Sequence, residues 1–171
     1  MLFRSDIISN AVPIGEASLQ TKKAVLWRIA YFEVGIPHTV PILLDDSMTE
    51  KSAYAVTNVN KNTLTDKDIY KYTKITKSEK VTITYSIKNL IINPNSAIIK
   101  RGNYFDIYLN LVHEKQHMDT PEDSETDKSN SEYEAYKEAL NHHYFMFASD
   151  PYRNHVIKEF NIYKKIVDRR L

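Results

Sequence analysis

The chain contains no cysteine. That absence removes disulfides, thiolate nucleophiles and every cysteine-based zinc site, and it suits either a reducing cytosol or an exported chain that avoids oxidation. Glycine and proline are scarce, 3 and 6 among 171 residues, which argues against a glycine-rich phosphate cradle and against a flexible linker. An excess of one charge is also missing. The 23 basic and 22 acidic residues are interspersed for a net charge of +1, so no broad basic face is expected and nucleic acid is not expected as a partner. No apolar run approaches the ~18 residues of a membrane span, and the opening MLFRSDIISNAVPIG lacks the basic-then-apolar order of a signal peptide. The expectation is a soluble chain, cytoplasmic or exported without a cleaved signal. A single domain over 1–171 is long enough to bury roughly 70% of its unfolded surface without staples.

What is present divides by period. Residues 18–34, SLQTKKAVLWRIAYFEV, place Leu19, Leu26, Ile29 and Phe32 at near-helical spacing and end at Gly35 with Pro37 beyond, a helix stop. From Ile42 the period falls to two. The runs AYAVTNV, IYKYTKI, VTITYSI and NLIINP are rich in Val, Ile, Thr and Tyr and predict an antiparallel sheet of three to four strands. Tyrosine, at 12 residues, is read as strand and core material. Helical spacing then returns. Asn103 is a candidate N-cap for YFDIYLNLVHEKQHM, with Asp106 at the third helical position, a stripe of Tyr104, Ile107, Tyr108, Leu111 and Val112, and a stop before Pro121. DTPEDSETDKSNS reads as an acidic connector that lacks the glycine and alternation of a calcium loop. EYEAYKEALNHHYFMFA resumes the helix through Tyr133, Tyr136, Leu140, Tyr144 and Phe147. Asp150-Pro151 predicts the N-cap and first-turn proline of a last helix whose stripe is Tyr152, Val156, Phe160, Tyr163 and Val167. Helix, strands, then helices make an α+β chain.

The stretch LNLVHEKQHMDT carries chemistry. Two histidines four apart share one helix face, so His113 and His117 can aim two imidazoles at one ion, and Glu114, about 100° round from His113, stands where it can hold a water polarised by that ion. Imidazole suits Zn2+, and a site with three protein ligands leaves a position for water. Glu114 is therefore the candidate general acid/base. Lys115, inside the motif, must point to solvent.

Two histidines and a base leave the ion one ligand short. A metzincin continuation requires glycine at 120 and histidine at 123, where this chain has Thr120 and Asp123. LVHEKQHM followed by SEYEAY instead resembles the gluzincin superfamily of zinc metallopeptidases, and more loosely the small metallopeptidase domains that serve as toxin or effector modules of bacterial secreted proteins. The resemblance covers residues 103–147, and residues 1–99 carry no family motif. It implies a Zn2+ cofactor, a peptide or protein substrate, a cognate inhibitor or immunity protein if the chain is a toxin, and a third ligand from a glutamate in a Glu-Ala context, Glu134. Capping leaves Glu132 as its rival. If Ser129 is the N-cap, Glu132 occupies the capping-box position and Glu134 is free to ligate, whereas a box of Ser131 with Glu134 reverses the roles. Glu134 is the expected ligand.

Glu138, one turn beyond Glu134, is a candidate partner for the far nitrogen of a ligand histidine. Donors for a developing oxyanion are available at His142, His143, Tyr144, Tyr152 and His155; His142, on the Glu134 and Glu138 face, is the expected one, and His143 is read as a core histidine. His38 reads as an ordinary loop residue. The function expected is a zinc hydrolase, in the first place a peptidase. The alternatives are a non-catalytic binding or scaffold domain with an incidental or structural metal, and a zinc amidase acting on peptidoglycan.

Overall fold

The computed structural model describes residues 26, 29–37, 40, 42–45, 47–50, 53–60, 70–75, 80–93, 95–98, 103–120 and 125–170. His38 and residues 121–124 of the acidic stretch lie outside them. The architecture is α+β.

The sheet is organised by one long strand. Four strands are described, β1 (Ile42–Leu44), β2 (Ala55–Asn60), β3 (Tyr70–Ile75) and β4 (Lys80–Ile92). VTITYSI and NLIINP join in β4 because neither glycine nor proline separates them. The antiparallel partners β3 and β2 divide its length, β3 pairing with residues 80–85 and β2 with residues 86–92. β1 runs parallel to β4 through Ile42↔Leu90, a pairing that strand alternation does not announce. The β2–β4 register shifts where Asn58 faces Asn89 but Val59 faces Ile87. Lys88 is the extra residue of this bulge, and the phase change lets Ile87, Leu90 and Ile92 all reach the core despite their uneven spacing.

One helix lies against the sheet at β2. α1 (Tyr104–Asp119) is fastened by a reciprocal capping box in which the Asn103 side chain accepts from Asp106 N and the Asp106 carboxylate accepts from Asn103 N, each at 3.0 Å. It ends at Thr120, before Pro121. Every residue from Asp106 to Leu111 is buried, so α1 is a central helix and not the one-striped helix its pattern predicts. It packs on β2 on one side and on α2 (Glu125–Asn141) on another. The short 3-10 turn Phe145–Phe147 leads into α3 (Asp150–Asp168), which packs on α2 with Tyr133 stacked on Phe160 and Tyr136 on Tyr163.

Two helix starts differ from the sequence reading. α2 begins at Glu125, inside the stretch read as a connector. From Ser124 to Ser131 there is neither glycine nor proline, and carboxylates near a helix N-terminus complement its dipole, so a polar run continues the helix. The cap of α3 is Ser149, one residue before the expected Asp150, with Pro151 in the first turn. Ser149 donates from both N and Oγ to the buried Asp106 carboxylate, at 2.8 Å each, which ties the starts of α1 and α3 together. Near the N-terminus, residues 29–34 are helical and stop as expected at Gly35, whose φ of 79° suits glycine. Phe32, placed on the stripe of that helix, is instead 58% exposed. No helix among the described residues is long and apolar enough to cross a membrane.

Candidate metal centre

α1 carries His113 and His117 on one face, and α2 brings the carboxylate that meets them. Ala135 and Ala139, both fully buried, line up with Ser131 at i, i+4 and i+8 along α2. Small side chains there let the two helices approach closely, and Glu132 beside this stripe reaches the histidines. His113 Nε2 stands 3.0 Å from His117 Nε2 and 3.4 Å from Glu132 Oε2, and His117 Nε2 stands 3.7 Å from Glu132 Oε1. Donors bound at about 2.0–2.1 Å around a tetrahedral ion are about 3.3 Å apart. The three side chains therefore form a group that could hold a metal ion.

The electrostatics of the donors agree with that geometry. Burial, aided by His113 and opposed by Glu132, pushes the His117 imidazole down to about 4, so the ring is neutral at neutral pH, as a ligand must be. Ser131 Oγ lies 2.8 Å from His117 Nδ1. The tautomer in which Nδ1 donates to this hydroxyl leaves the Nε2 lone pair facing Glu132. Burial pushes the Glu132 carboxyl up, but the His113 hydrogen bond and the charges of His113, His117 and Lys128 outweigh it and hold the group below its ordinary range. Glu132 is thus an anionic donor at neutral pH.

Glu114 is set apart from these donors. It is 4% exposed. Thr57 on β2 donates to its Oε2 at 2.7 Å. Burial raises its carboxyl above the ordinary range, with Glu132 reinforcing and His113 and Thr57 opposing. Such a group takes up and releases a proton more readily near neutrality than an exposed carboxylate does. One turn earlier on the same helix, the buried Asn110 Nδ2 has no hydrogen-bond partner among the described residues.

The structure places Glu132, the rival of the expected Glu134, with the two histidines. Glu134 is not at the histidines; its carboxylate is 43% exposed and pairs with Lys137 at 3.0 Å. A capping-box role for Glu132 or Glu134 requires a helix start at Ser129 or Ser131. Both serines lie within α2, which begins at Glu125, so neither caps it, and Ser131 instead meets His117 of α1. Glu138 is exposed, and the place beside a histidine's far nitrogen belongs to Ser131. His142 makes its ring contacts with Tyr108, His143 and Tyr144, at 5.2, 4.4 and 5.3 Å, and not with the histidine pair. His143 is exposed and so is no core histidine. Lys115 turns outward to Asp119 at 2.6 Å, as expected.

Of the other candidate donors, Tyr152 and His155 lie near the group. The Tyr136 ring sits 4.4 Å from His113 and 6.0 Å from His155, and Tyr54 is 4.9 Å from His155 and 6.4 Å from Tyr152. Burial comes first in raising the Tyr136 and Tyr152 phenols, with Glu114 among the lesser causes for both. Both hydroxyls therefore stay protonated. Tyr136 has a sequence signal, one turn beyond Glu132 on the same face. Tyr54 and Thr57 have none, because they arrive from the sheet. Comparison with protein-family models, with curated proteins and with solved structures finds no match to the chain.

Ser131→Ala is expected to lower metal affinity about 10- to 100-fold while leaving the fold intact, since it removes only the group that orients His117. Competition against a chelator of known affinity measures the change, and an unaltered affinity would show that Ser131 does not orient the ring.

Proposed function

We propose that the chain is a zinc-dependent hydrolase that cleaves peptide bonds, with His113, His117 and Glu132 as zinc ligands and Glu114 as general acid/base. The observation that carries the reading is the convergence of three donor atoms at tetrahedral spacing beside a separate, buried carboxylate. The donor set of two imidazoles and one carboxylate fits zinc, which when bound polarises a carbonyl and brings the pKa of water to about 7.

The chain's own residues have distinct tasks. One oxygen of Glu114 is held by Thr57, and the other is the site that accepts a proton from the attacking water and returns it to the leaving amine. The protonated phenol of Tyr136, whose ring lies 4.4 Å from His113, is a donor for charge developing on the scissile carbonyl oxygen. The peptide assignment rests on β2. Among the described residues β2 pairs with β4 alone, so no described strand occupies the second edge of the strand whose Thr57 donates to Glu114. An extended peptide adds to such an edge by main-chain pairing.

The test is metal content together with cleavage. Purified protein saturated with zinc and exchanged into buffer is expected to hold about one zinc per chain, to cleave a mixed peptide library, and to lose and regain cleavage with chelation and zinc readdition. Folded protein that fails to retain zinc would sink the reading. Zinc retention with hydrolysis of peptidoglycan amides and no peptide cleavage would keep the chemistry and replace the substrate.

A further inference from the structure

We propose that Thr57 is the positioning residue for Glu114, locking the carboxylate to the strand that borders the site; this rests on the hydrolase reading above. The Thr57 hydroxyl stands 2.7 Å from Glu114 Oε2 and 3.3 Å from the Glu114 carbonyl oxygen. Its single proton goes to the carboxylate, the shorter and charge-assisted contact. Thr57 is itself fixed. Its Cα partner across the sheet is the fully buried Leu90, and branching at Cβ restricts its first side-chain torsion. Glu114 is therefore held by its own helix through the backbone and by the sheet through Oε2.

Two consequences follow from this geometry. With Oε2 engaged, the carboxylate cannot turn freely about its last torsion, so the same oxygen always faces the attacking water. The bond also joins the general base to β2, the strand to which the substrate is assigned, so the carbonyl and the base keep one register. Packing alone does not require this hydroxyl. Valine fills the same volume, has a high strand propensity and would suit a position opposite Leu90.

The experiment compares zinc-loaded parent, Thr57→Val and Thr57→Ser. Thr57→Val is expected to keep about one zinc per chain and lower kcat roughly 10- to 100-fold with KM little changed, the effect of a misplaced base. Thr57→Ser, which restores the hydroxyl, is expected to recover most of the rate. Parent-like kcat in Thr57→Val, or a Thr57→Ser variant as slow as Thr57→Val, would overturn the proposal. A readout independent of turnover is the Glu114 carboxylate band, obtained as the infrared difference between each protein and the same protein carrying Glu114→Gln. It is expected to shift in Thr57→Val and return in Thr57→Ser. If the zinc-loaded parent cleaves nothing, the hydrolase reading falls, and this band alone decides whether Thr57 holds Glu114, an unmoved band overturning the proposal.

Discussion

Glu114→Gln is expected to abolish most hydrolysis while leaving the metal and the fold in place. The substitution keeps the shape of the side chain, and its amide oxygen can still accept from Thr57, now 2.7 Å from Oε2. What disappears is the capacity to take a proton. General acid/base catalysis contributes typically 10²- to 10⁴-fold, so kcat should fall by about that factor, or about 3–5 kcal/mol of transition-state stabilisation. The fold should not suffer. Burial raises the Glu114 carboxyl in the folded chain; a folded pKa above the unfolded one gives stability that is full below the unfolded pKa and lost as pH rises through the folded value. As pH rises, the buried Glu114 carboxyl is therefore a growing burden on the metal-free protein. The metal-free Gln variant should match or exceed the parent's melting temperature at neutral pH, with the difference shrinking as pH falls into the ordinary carboxylate range. Kinetics, zinc analysis and a pair of melting curves check all three statements. Parent-like cleavage by a zinc-loaded Gln variant would remove Glu114 from the mechanism.

Some of this site is legible in the chain and some is not, for reasons that differ residue by residue. α1 is legible at both ends, because Asn103, Asp106 and Pro121 act within a turn of the helix they delimit. The histidine pair is legible because a spacing of four on one helix needs no other element to bring the rings together. The start of α2 is obscured because an exposed polar helix and a polar loop have the same composition, and helix propensity for such residues is a weak preference that packing overrides. That one boundary carries the choice between Glu132 and Glu134, since a capping argument applied inside a helix assigns roles to residues that cap nothing. The pattern that does report the rotation is Ser131, Ala135 and Ala139, small residues at a spacing of four, but its meaning depends on α1 being the partner. Thr57 lies 57 positions before Glu114, and its contact depends on β2 being held against β4 with a bulge at Lys88. No local pattern contains that information.

The largest effect on metal binding is expected from Glu132→Ala. Removing one of three protein donors should lower zinc affinity by on the order of 100-fold or more, roughly 3 kcal/mol out of the 10 or more that tight zinc sites supply. The metal-free fold should also respond. His113, His117 and Lys128 hold the Glu132 carboxyl below its ordinary range in the folded chain, so its contribution to stability is present above the unfolded pKa and lost as pH falls through the folded one. At neutral pH, where the His117 ring is neutral, the Ala variant lacks the share of that contribution made through the His113 hydrogen bond and Lys128, and in strong acid the two proteins should converge. Glu134→Ala is the control on the same helix. Its carboxylate is 43% exposed and its Lys137 partner 41% exposed, an ion pair worth no more than about 0.5 kcal/mol, and zinc should remain bound. Glu132→Gln covers the case in which alanine loosens the α1–α2 contact, since it keeps the volume and weakens only the donor. Zinc lost from the Glu134 variant and retained by both Glu132 variants would mean that α2 sits rotated by about 160° from the orientation described, with Glu134 facing His113 and His117. Retention by all three would place the third donor elsewhere and remove Glu132 from the centre.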